Sequence, residues 1–460
     1  MAANRASTCK ILVPSGVLGS GCPEDALERG ISLAPDCIAV DGGSTDSGPY
    51  YLGTGTSKMT RRATKRDLRQ LMLARDRLQI PLLVGSCGTC GTDSGVDWMA
   101  DIAREIAREE GLTARLALVY SQQRPSDLLP LLDAGKVTPL EPALPLTHER
   151  LLECDNVVGL LGYEPLADAI TGGADIVLSG RTTDTAVLAA VPLMRGFPAS
   201  ASWHAAKTAE CGGLCTVQTR LGGVMLTIDA EGFEIEPLHA DNRCTPYTVS
   251  AHLLYENSDP FRLKEPGVIL DASEAQYDAI DERVVRVTGS LAKAMPYTLK
   301  LEGSGGTGYR TMVFSAIADP KLLARVDEWL GNLEAYLRAG ITSVLEVDAQ
   351  DYDLEFRAYG HNALTSSSSV ATPHEVGLMT LVSAVTQELA TEIARYCNPI
   401  LLHFPLNHDD PMPSFAFPFS PAEVELGRQY EFKLNHVVQL DRPDQLSRTV
   451  IEVIGESDND

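Results

Sequence analysis

The sequence is short of positive charge. Its 460 residues include 38 lysine and arginine residues against 62 aspartate and glutamate residues, a formal net charge of −24. This balance disfavours nucleic acids and anionic membrane surfaces as partners. The sequence also lacks an apolar run approaching the roughly 20 residues of a membrane span, and its first residues lack the apolar segment of a signal peptide. We therefore expect a cytoplasmic protein that binds neither nucleic acid nor membrane.

Several motifs of catalytic and metal sites are also missing. The nine histidines form no H-x-x-x-H or H-E-x-x-H pattern, so no histidine-rich metal site is expected. The G-x-S-x-G motif of many hydrolases is absent. Ten cysteines in so long a chain, several within apolar segments, indicate reduced thiols rather than a disulfide framework. The length favours two domains, and the 44% apolar content is enough for their cores.

Short apolar segments followed by glycine-rich loops and helices repeat through the first half of the chain. The predicted strands cover residues 10–14, 37–40, 81–84, 114–120, 156–160 and 174–178. This alternation is typical of parallel strands joined by helices. We therefore predict an α/β fold, in which residues 1–235 form a Rossmann-like domain with a doubly wound, mostly parallel sheet and Gly-rich ligand loops.

The pattern changes after about residue 235. Further strands are predicted at residues 284–287, 297–301, 311–316, 343–346, 400–404 and 429–440. Helices are predicted at 320–338 and 375–396, the second because Val376, Met379 and Val382 recur at near-helical spacing. The pattern predicts that residues 236–460 form a second, α+β domain that completes the ligand cleft.

The segment 173–191 is expected to lie at the centre of the protein. Its first residues predict a buried strand, which Ser179 and Gly180 end, and an alanine-rich helix follows. Arg181 stands between them, and Thr183 or Asp184 can cap the helix. Because ligands bind at the carboxyl ends of such strands, we predict that Arg181 binds a carboxylate or phosphate and that Asp184 moves a proton. The alternative is an ion pair that only fixes the loop.

Glycine-rich loops follow the first three predicted strands, at residues 15–23, 41–49 and 85–93. Backbone N–H groups at helix starts bind anions. We expect these loops to bind substrate through Gly19, Gly43, Ser44, Gly88 and Thr89. The first loop does not have the glycine spacing of a dinucleotide fingerprint, and no cofactor is predicted.

The segment 297–310 carries the strongest signal of the second half. Lys300 and Glu302 share one face of a predicted strand, and glycines that let the backbone approach a ligand follow them. Lys300 could act as a base or, with Arg310, clamp a dianion. A structural ion pair beside a hairpin is the alternative.

Two cysteine pairs are candidate metal ligands. Cys87 and Cys90 form a C-x-x-C motif, and Cys211 and Cys215 a C-x-x-x-C motif. Four thiolates could hold zinc or an iron–sulfur cluster, but the second spacing does not suit a zinc knuckle. No metal is therefore predicted, and these four residues are the ligands only if one is present.

With these pieces placed, the sequence resembles the acyclic terpene utilisation family, AtuA. The matching segments include Ser-Gly-Arg-Thr-Thr-Asp and Ala-Glu-Cys-Gly, and run in order at residues 173–184, 209–212, 251–260, 297–310, 374–377, 386–388 and 417–421. The resemblance implies a role in the breakdown of small branched or polycarboxylic acids, or of their CoA thioesters. The long second half resembles a branch that is accompanied by a separate small ferredoxin-fold-like protein, which implies such a partner subunit.

These observations predict a lyase or hydratase, or as a close variant an isomerase, that abstracts a proton next to a carboxylate of a small anionic metabolite. Asp184 or Glu210 would move the proton, and Arg181, Lys300 and Arg310 would hold the developing negative charge. The alternatives are a hydrolase with a serine or cysteine nucleophile and a non-catalytic carboxylate-binding or scaffold subunit of a two-protein complex. We also expect a homo-oligomer.

Overall fold

The computed structural model describes residues 7–254, 259–364, 373–413 and 415–455. The chain forms two compact units. The first comprises the chain up to Gly305 together with the segment from Phe432 onward, and the second comprises residues 306–431. Residues 255–258 of the family-like segment 251–260 lie outside the described part. The predicted domain division after residue 235 falls within a strand of the first unit and stays a prediction.

The strands, numbered along the chain, are short except for two. They are β1 Cys9–Val13, β2 Cys37–Asp41, β3 Leu82–Gly85, β4 Ala114–Tyr120, β5 Gln122–Gln123, β6 Val137–Pro139, β7 Asn156–Leu160, β8 Ile176–Ser179, β9 Val224–Ile228, β10 Gly232–Pro237, β11 Arg262–Glu265, β12 Val268–Asp271, β13 Gln276–Ala279, β14 Val285–Thr288, β15 Leu291–Ala294, β16 Thr298–Ile317, β17 Tyr352–Tyr359, β18 Val376–Ala384, β19 Glu423–Gln439 and β20 Arg448–Ile454.

The helices are numbered in the same way. They are α1 Glu24–Ser32, α2 Tyr50–Thr54, α3 Arg61–Leu78, α4 Asp93–Glu110, α5 Pro125–Asp133, α6 His148–Leu152, α7 Glu164–Thr171, α8 Asp184–Met194, α9 Ala199–Ala209, α10 Pro246–Ala251, α11 Pro320–Leu323, α12 Val326–Val344 and α13 Gln387–His403. No described helix is both long and apolar enough to cross a membrane.

A ten-stranded sheet forms the centre of the first unit, in the order β13-β14-β10-β9-β1-β2-β3-β8-β4-β20. Its five middle strands, from β1 to β4 in that order, pair in parallel, and the strands on either side pair antiparallel. Successive residues of the middle strands pack into two different hydrophobic clusters. Helices α1, α3 and α4 cover one face, and α7, α8 and α9 cover the other. The α/β, doubly wound prediction is therefore confirmed.

The expectation that β7 belongs to this parallel sheet is wrong. Strand β7 pairs antiparallel with β5 and with residues 300–304 of β16. A short apolar segment predicts a strand, but it carries no information on which strand will be its neighbour. The pairing brings Lys300 and Glu302 into the first unit.

The second unit is a sheet with two long helices. Its strands lie in the order β17-β18-β16-β19, with α12 between β16 and β17 and α13 between β18 and β19 along the chain. This β-α-β-β-α-β arrangement is the ferredoxin-like motif. Buried residues of α12 and α13, among them Trp329, Leu333 and Ile393, pack on one face of the sheet and give the unit its own core.

Several predicted elements of the second half are wrong. Residues 375–396 do not form one helix, because β18 occupies their first part and α13 begins only at Gln387. Val376, Leu378, Thr380 and Val382 are buried at every second position, the period of a strand. The predicted strand 400–404 lies largely within α13, and the predicted strand 343–346 begins inside α12. The two strands predicted at 297–301 and 311–316 are one continuous strand, β16.

Candidate functional site

The site lies at the carboxyl edge of the parallel strands. Strand β2 ends at Asp41, β3 at Gly85 and β8 at Ser179, and these three strands are neighbours in the sheet. The loops that follow them therefore meet at one edge, as expected for an open α/β sheet. Helix α8 begins directly after this edge, where the Thr183 hydroxyl accepts a hydrogen bond from the N–H of Ala186 (3.1 Å).

Arg181 connects these loops. Its side chain is buried, and Nη1 donates to the Gly43 carbonyl at 3.2 Å, to Ser86 Oγ at 2.9 Å and to Asp184 Oδ1 at 3.2 Å. Its Nε donates to Glu302 Oε2 at 3.4 Å. Burial alone would lower the pKa of Arg181, but the surrounding carboxylates raise it, so the guanidinium stays charged. Arg181 thus holds four separate parts of the site in register.

A glycine makes room for the Arg181 backbone. Gly91 has a φ of +65°, and its carbonyl accepts a hydrogen bond from the Arg181 N–H at 3.1 Å. A Cβ atom on Gly91 would lie 2.0 Å from the Arg181 nitrogen. Because no side chain fits in this space, glycine is required at position 91 for this loop packing.

Glu302 is the buried carboxylate that the cationic groups share. Its Oε2 accepts hydrogen bonds from Arg181 and from the Thr45 hydroxyl at 3.0 Å, and its Oε1 lies 2.8 Å from Lys300 Nζ. Burial pushes its pKa upward, but the charges of Arg181 and Lys300 outweigh this and hold the pKa below its ordinary value. Lys300 and Arg181 therefore both contact one ionised carboxylate, and their sharing of a substrate site stays a prediction.

Two other carboxylates, Asp41 and Asp184, have pKa values that are raised rather than lowered. Asp41 is buried, and its pKa is raised well above the ordinary value by burial and by the charge of Asp184, although Arg181 and the Gly43 N–H oppose this. Its Oδ2 accepts the Gly43 N–H at 2.8 Å, whereas its buried Oδ1 has no hydrogen-bond partner among the described residues. The pKa of Asp184 is also raised, chiefly by burial. The site thus combines one carboxylate held ionised with two that favour the protonated form.

A cavity of about 150 Å³ opens at this edge. Its lining includes the carboxylates of Asp41, Asp46, Asp184 and Glu210, together with Lys58 as a cation. Gly16, Val17, Gly43, Ser44, Ser47, Met59, Thr89 and Cys211 complete it. Acidic residues outnumber basic ones in this lining, and Arg181, Lys300 and Arg310, which were predicted to hold the negative charge of a substrate, are not part of it.

A second group of buried charges lies behind Glu210. Lys207 Nζ donates to Glu210 Oε1, and both residues are buried. Burial and the charges of Asp184 and Glu265 raise the pKa of Glu210, although Lys207 opposes the shift. Glu265 accepts a hydrogen bond from the Thr183 hydroxyl at 2.7 Å, and burial raises its pKa to about 7. The charges of Asp184 and Glu265 at the start of α8 therefore act on Glu210 at the end of α9.

Cys211 follows Glu210 at the end of α9, close to His252. One possible ligand atom from each of Glu210, Cys211 and His252 lies within 4.8 Å of the other two. Burial and the charge of Lys207 lower the pKa of His252 to about 4. Cys87, Cys90 and Cys215, which sequence spacing offered as ligands together with Cys211, belong to no such group in the described part of the chain.

The glycine-loop residues that were predicted to bind substrate lie in different environments. Gly43, Ser44 and Thr89 line the cavity. The N–H of Gly19 donates to Asp67 Oδ2 at 2.9 Å, so it serves the loop's own structure. A Cβ atom on Gly88 would lie 2.6 Å from the Cα atom of Gly95, so the two glycines pack closely. The Gly88 carbonyl accepts a hydrogen bond from the Cys90 N–H.

Arg310 belongs to the second unit. There its Nε donates to Ser383 Oγ at 2.9 Å, and its carbonyl accepts from Gln387. Its pairing with Lys300 around a dianion stays a prediction.

Sequence reasoning did not single out Lys58, Lys207, His252 or Glu265 as site residues. Lys207 lies three positions before Glu210 on a helix, which is a spacing that brings side chains together and could have indicated the pair. His252 and Glu265 are more than forty residues from Glu210, and no local pattern indicates their approach.

Comparison with known proteins identifies the family. The family model described as acyclic terpene utilisation family protein AtuA matches residues 84–409, which is more than half of the chain. The chain belongs to the AtuA family. The match includes Arg181, Asp184, Glu210 and Lys300, whereas Asp41 precedes it. Membership links the chain to the utilisation of acyclic terpenes. No curated protein and no solved structure matches the chain.

Proposed function

We propose that this AtuA-family chain is a cytoplasmic catabolic enzyme that acts on a small di- or tricarboxylic acid or its CoA thioester. The proposed reaction is proton abstraction next to a carboxylate, as in a lyase or hydratase, with isomerisation as the close variant. The observation that carries the proposal is the contrast among the carboxylates around Arg181. Glu302 is held ionised, whereas burial favours the protonated forms of Asp41 and Asp184. Groups with such opposed tendencies are typical of acid–base catalysis.

Asp184 is the group proposed to move the proton. It lines the cavity, its side chain is 27% exposed, and its raised pKa brings it closer to neutral pH, where a general acid or base works best. Arg181 holds its carboxylate in place at 3.2 Å. Since four protein groups already accept from Arg181, its proposed role is to position Asp184 and Glu302 rather than to clamp the substrate.

The cavity size supports a small reacting group. A volume of about 150 Å³ suits a molecule near the size of benzene. The acid end of a metabolite fits this volume, whereas the remainder of a CoA thioester would lie outside. Lys58 at the lining and the partly exposed Lys300 beside Glu302 are the cations proposed to attract the substrate carboxylates.

Deuterium exchange tests the proposed chemistry even when the product is unidentified. Succinate, malate, citrate and 3-methylglutarate, free and as CoA thioesters, are first screened for thermal stabilisation of the protein. Each stabilising acid is then incubated with the protein in D₂O, and loss of the signal of its C–H next to the carboxylate is followed by NMR. We expect exchange with at least one acid, slowed about 10²–10⁴-fold by Asp184→Asn.

The matched control is Asp93→Asn. Asp93 also begins a helix after a threonine N-cap, but it does not line the cavity. This variant should exchange like the wild type. If a stabilising acid shows no exchange in any preparation, the protein is a carboxylate-binding subunit. Equal exchange in Asp184→Asn and the wild type would remove Asp184 from the mechanism.

A cysteine hydrolase receives less support. The candidate nucleophiles are Cys87 and Cys211. Burial raises the pKa of Cys87, and a thiol that stays protonated is a poor nucleophile. Cys211 is partly exposed and lines the cavity, so the alternative rests on this residue.

A further inference from the structure

The cavity lining supplies little positive charge for an anionic substrate. Asp41, Asp46, Asp184 and Glu210 contribute carboxylates to the lining, and Lys58 contributes a cation. Because burial favours the protonated forms of Asp41 and Asp184, these two groups repel a carboxylate ligand less than ionised carboxylates would. The attraction that the lining offers such a ligand comes from Lys58.

We propose that Glu210, Cys211 and His252 bind a zinc ion at the wall of this cavity. This proposal rests on the proposed function and extends it. The catalytic role of the ion depends on that function, whereas the test of metal binding does not. The proposal also revises the expectation of no metal, and it replaces the four cysteines with one cysteine, one histidine and one carboxylate.

The geometry supports a single ion. One possible ligand atom from each of the three residues lies within 4.8 Å of the other two, so small side-chain movements bring them to the roughly 2.0–2.3 Å distances of a zinc site. Glu210 and His252 are buried, whereas Cys211 is partly exposed and lines the cavity. Three protein ligands beside an open space are the arrangement of catalytic zinc sites, where water or substrate takes the fourth position.

The ligand types select the metal. A thiolate and an imidazole favour zinc over magnesium or calcium, which prefer oxygen ligands. The three residues also lie beside the carboxyl end of α9, where the helix dipole favours positive charge.

Lys207 is the group that opposes the ion, because its ammonium donates to Glu210 Oε1. The second carboxylate oxygen, Oε2, can take the metal while Oε1 keeps this hydrogen bond. Binding as a thiolate requires Cys211 to release its proton, so the bound ion would add at most one net positive charge at the cavity wall. The ion would supply Lewis-acid polarisation of a substrate carboxylate or carbonyl there.

Cobalt binding provides a readout that does not depend on activity. The full-length protein is stripped with a chelator and titrated with Co²⁺, and the near-ultraviolet thiolate-to-cobalt charge-transfer band is recorded. Zn²⁺ is then added as competitor, and its affinity is measured by calorimetry. We expect one ion per chain, a charge-transfer band, and displacement of Co²⁺ by Zn²⁺.

Cys211→Ser is the decisive variant, because Cys211 is partly exposed and its replacement by serine preserves the packing. It should abolish the band and weaken Zn²⁺ binding by more than the roughly 10–100-fold caused by losing an outer-shell partner. His252→Ala, checked for folding by circular dichroism, should weaken binding similarly. The control is Cys22→Ser, because Cys22 is also partly exposed but belongs to no ligand group in the described residues.

Absence of the band in the wild type, or a band that persists in Cys211→Ser, would overturn the zinc site. So would weak binding that is equal in all variants. None of these results involves a carboxylic acid, so the deuterium-exchange test of the proposed reaction would stand apart from them.

Discussion

Arg181 is the residue on which the site depends most. The buried guanidinium separates carboxylates that would otherwise repel one another, with Glu302 on one side and Asp184 on the other. Removing one partner of a buried ion pair leaves an uncompensated charge, which costs more than the pair itself contributes.

We therefore expect Arg181→Ala to lower the free energy of unfolding by about 3–5 kcal/mol, measured by urea denaturation, and to abolish turnover. Arg124→Ala is the control, because the Arg124 side chain is 83% exposed and its ion pair among the described residues is with Asp127 on the surface. It should change stability by less than about 1 kcal/mol. Equal stabilities of the two variants would show that Arg181 does not hold the loops together.

Gly91 allows a second test, in which the backbone conformation is matched. Gly91 and Gly111 both have a φ of +65°, but a Cβ on Gly91 would meet the Arg181 nitrogen at 2.0 Å, and a Cβ on Gly111 would meet nothing within 4 Å. Gly111→Ala should cost only the roughly 1–2 kcal/mol of left-handed backbone. Gly91→Ala should cost about 1–3 kcal/mol more, since the Arg181 loop must move.

Thermal and urea unfolding of both variants measure this difference. If Gly91→Ala and Gly111→Ala are equally stable, the close packing of the two loops is not rigid.

At the scale of elements, helix α9 ends at the proposed site and carries a buried histidine, His204, in its interior. His204 is fully buried, with Nδ1 2.5 Å from Ser290 Oγ and Nε2 3.2 Å from the Tyr277 hydroxyl. Burial lowers its pKa from 6.5 to about 3, so the folded protein holds the imidazole neutral. This histidine, unlike His252, belongs to no group of possible metal ligands in the described part of the chain.

The shift predicts a loss of stability in acid. Between pH 6.5 and pH 3 the unfolded state binds a proton at His204 that the folded state does not, so the stabilising contribution is present above pH 6.5 and falls as the pH falls. The loss from this group alone should be about 2 kcal/mol by pH 5. Urea unfolding should show that His204→Asn loses less stability than the wild type from pH 7 to pH 5. Parallel losses would contradict a neutral buried imidazole.

At the scale of the whole molecule, each compact unit has a core of its own. Trp329 is buried in the second unit, stacked on Phe415 at 5.4 Å and donating to the Phe404 carbonyl at 3.0 Å. Trp203 is equally buried in the first unit. The two tryptophans therefore allow each core to be weakened separately.

Either tryptophan-to-alanine substitution should cost about 3–5 kcal/mol. Hydrogen exchange monitored by mass spectrometry should show faster exchange in residues 306–431 for Trp329→Ala, with the central parallel strands protected as in the wild type. Trp203→Ala should show the reverse. Faster exchange throughout the chain in both variants would mean that the units unfold as one.

The local sequence pattern determined much of the first unit. Alternating strands, glycine loops and helices identified β1, β2, β3, β4 and β8 and the edge where their loops meet, because buried parallel strands are short apolar runs ended by glycine. The sequence also predicts the Thr183 cap and the Lys300–Glu302 pair, since both depend on residues two or three positions apart.

Only the tertiary structure decided which of these residues form one site. Glu302 reaches Arg181 because β16 pairs with β7 rather than with a hairpin partner, and His252 reaches Glu210 across more than forty residues. The tertiary structure also decided that β18 is a strand. The apolar positions of β18 fit helical spacing in part, and pairing with β16 and β17 selects the two-residue period of a strand. Local periodicity indicates which residues are buried. Strand order and long-range pairing determine which of the buried residues contact one another, and these depend on the free energy of the whole chain.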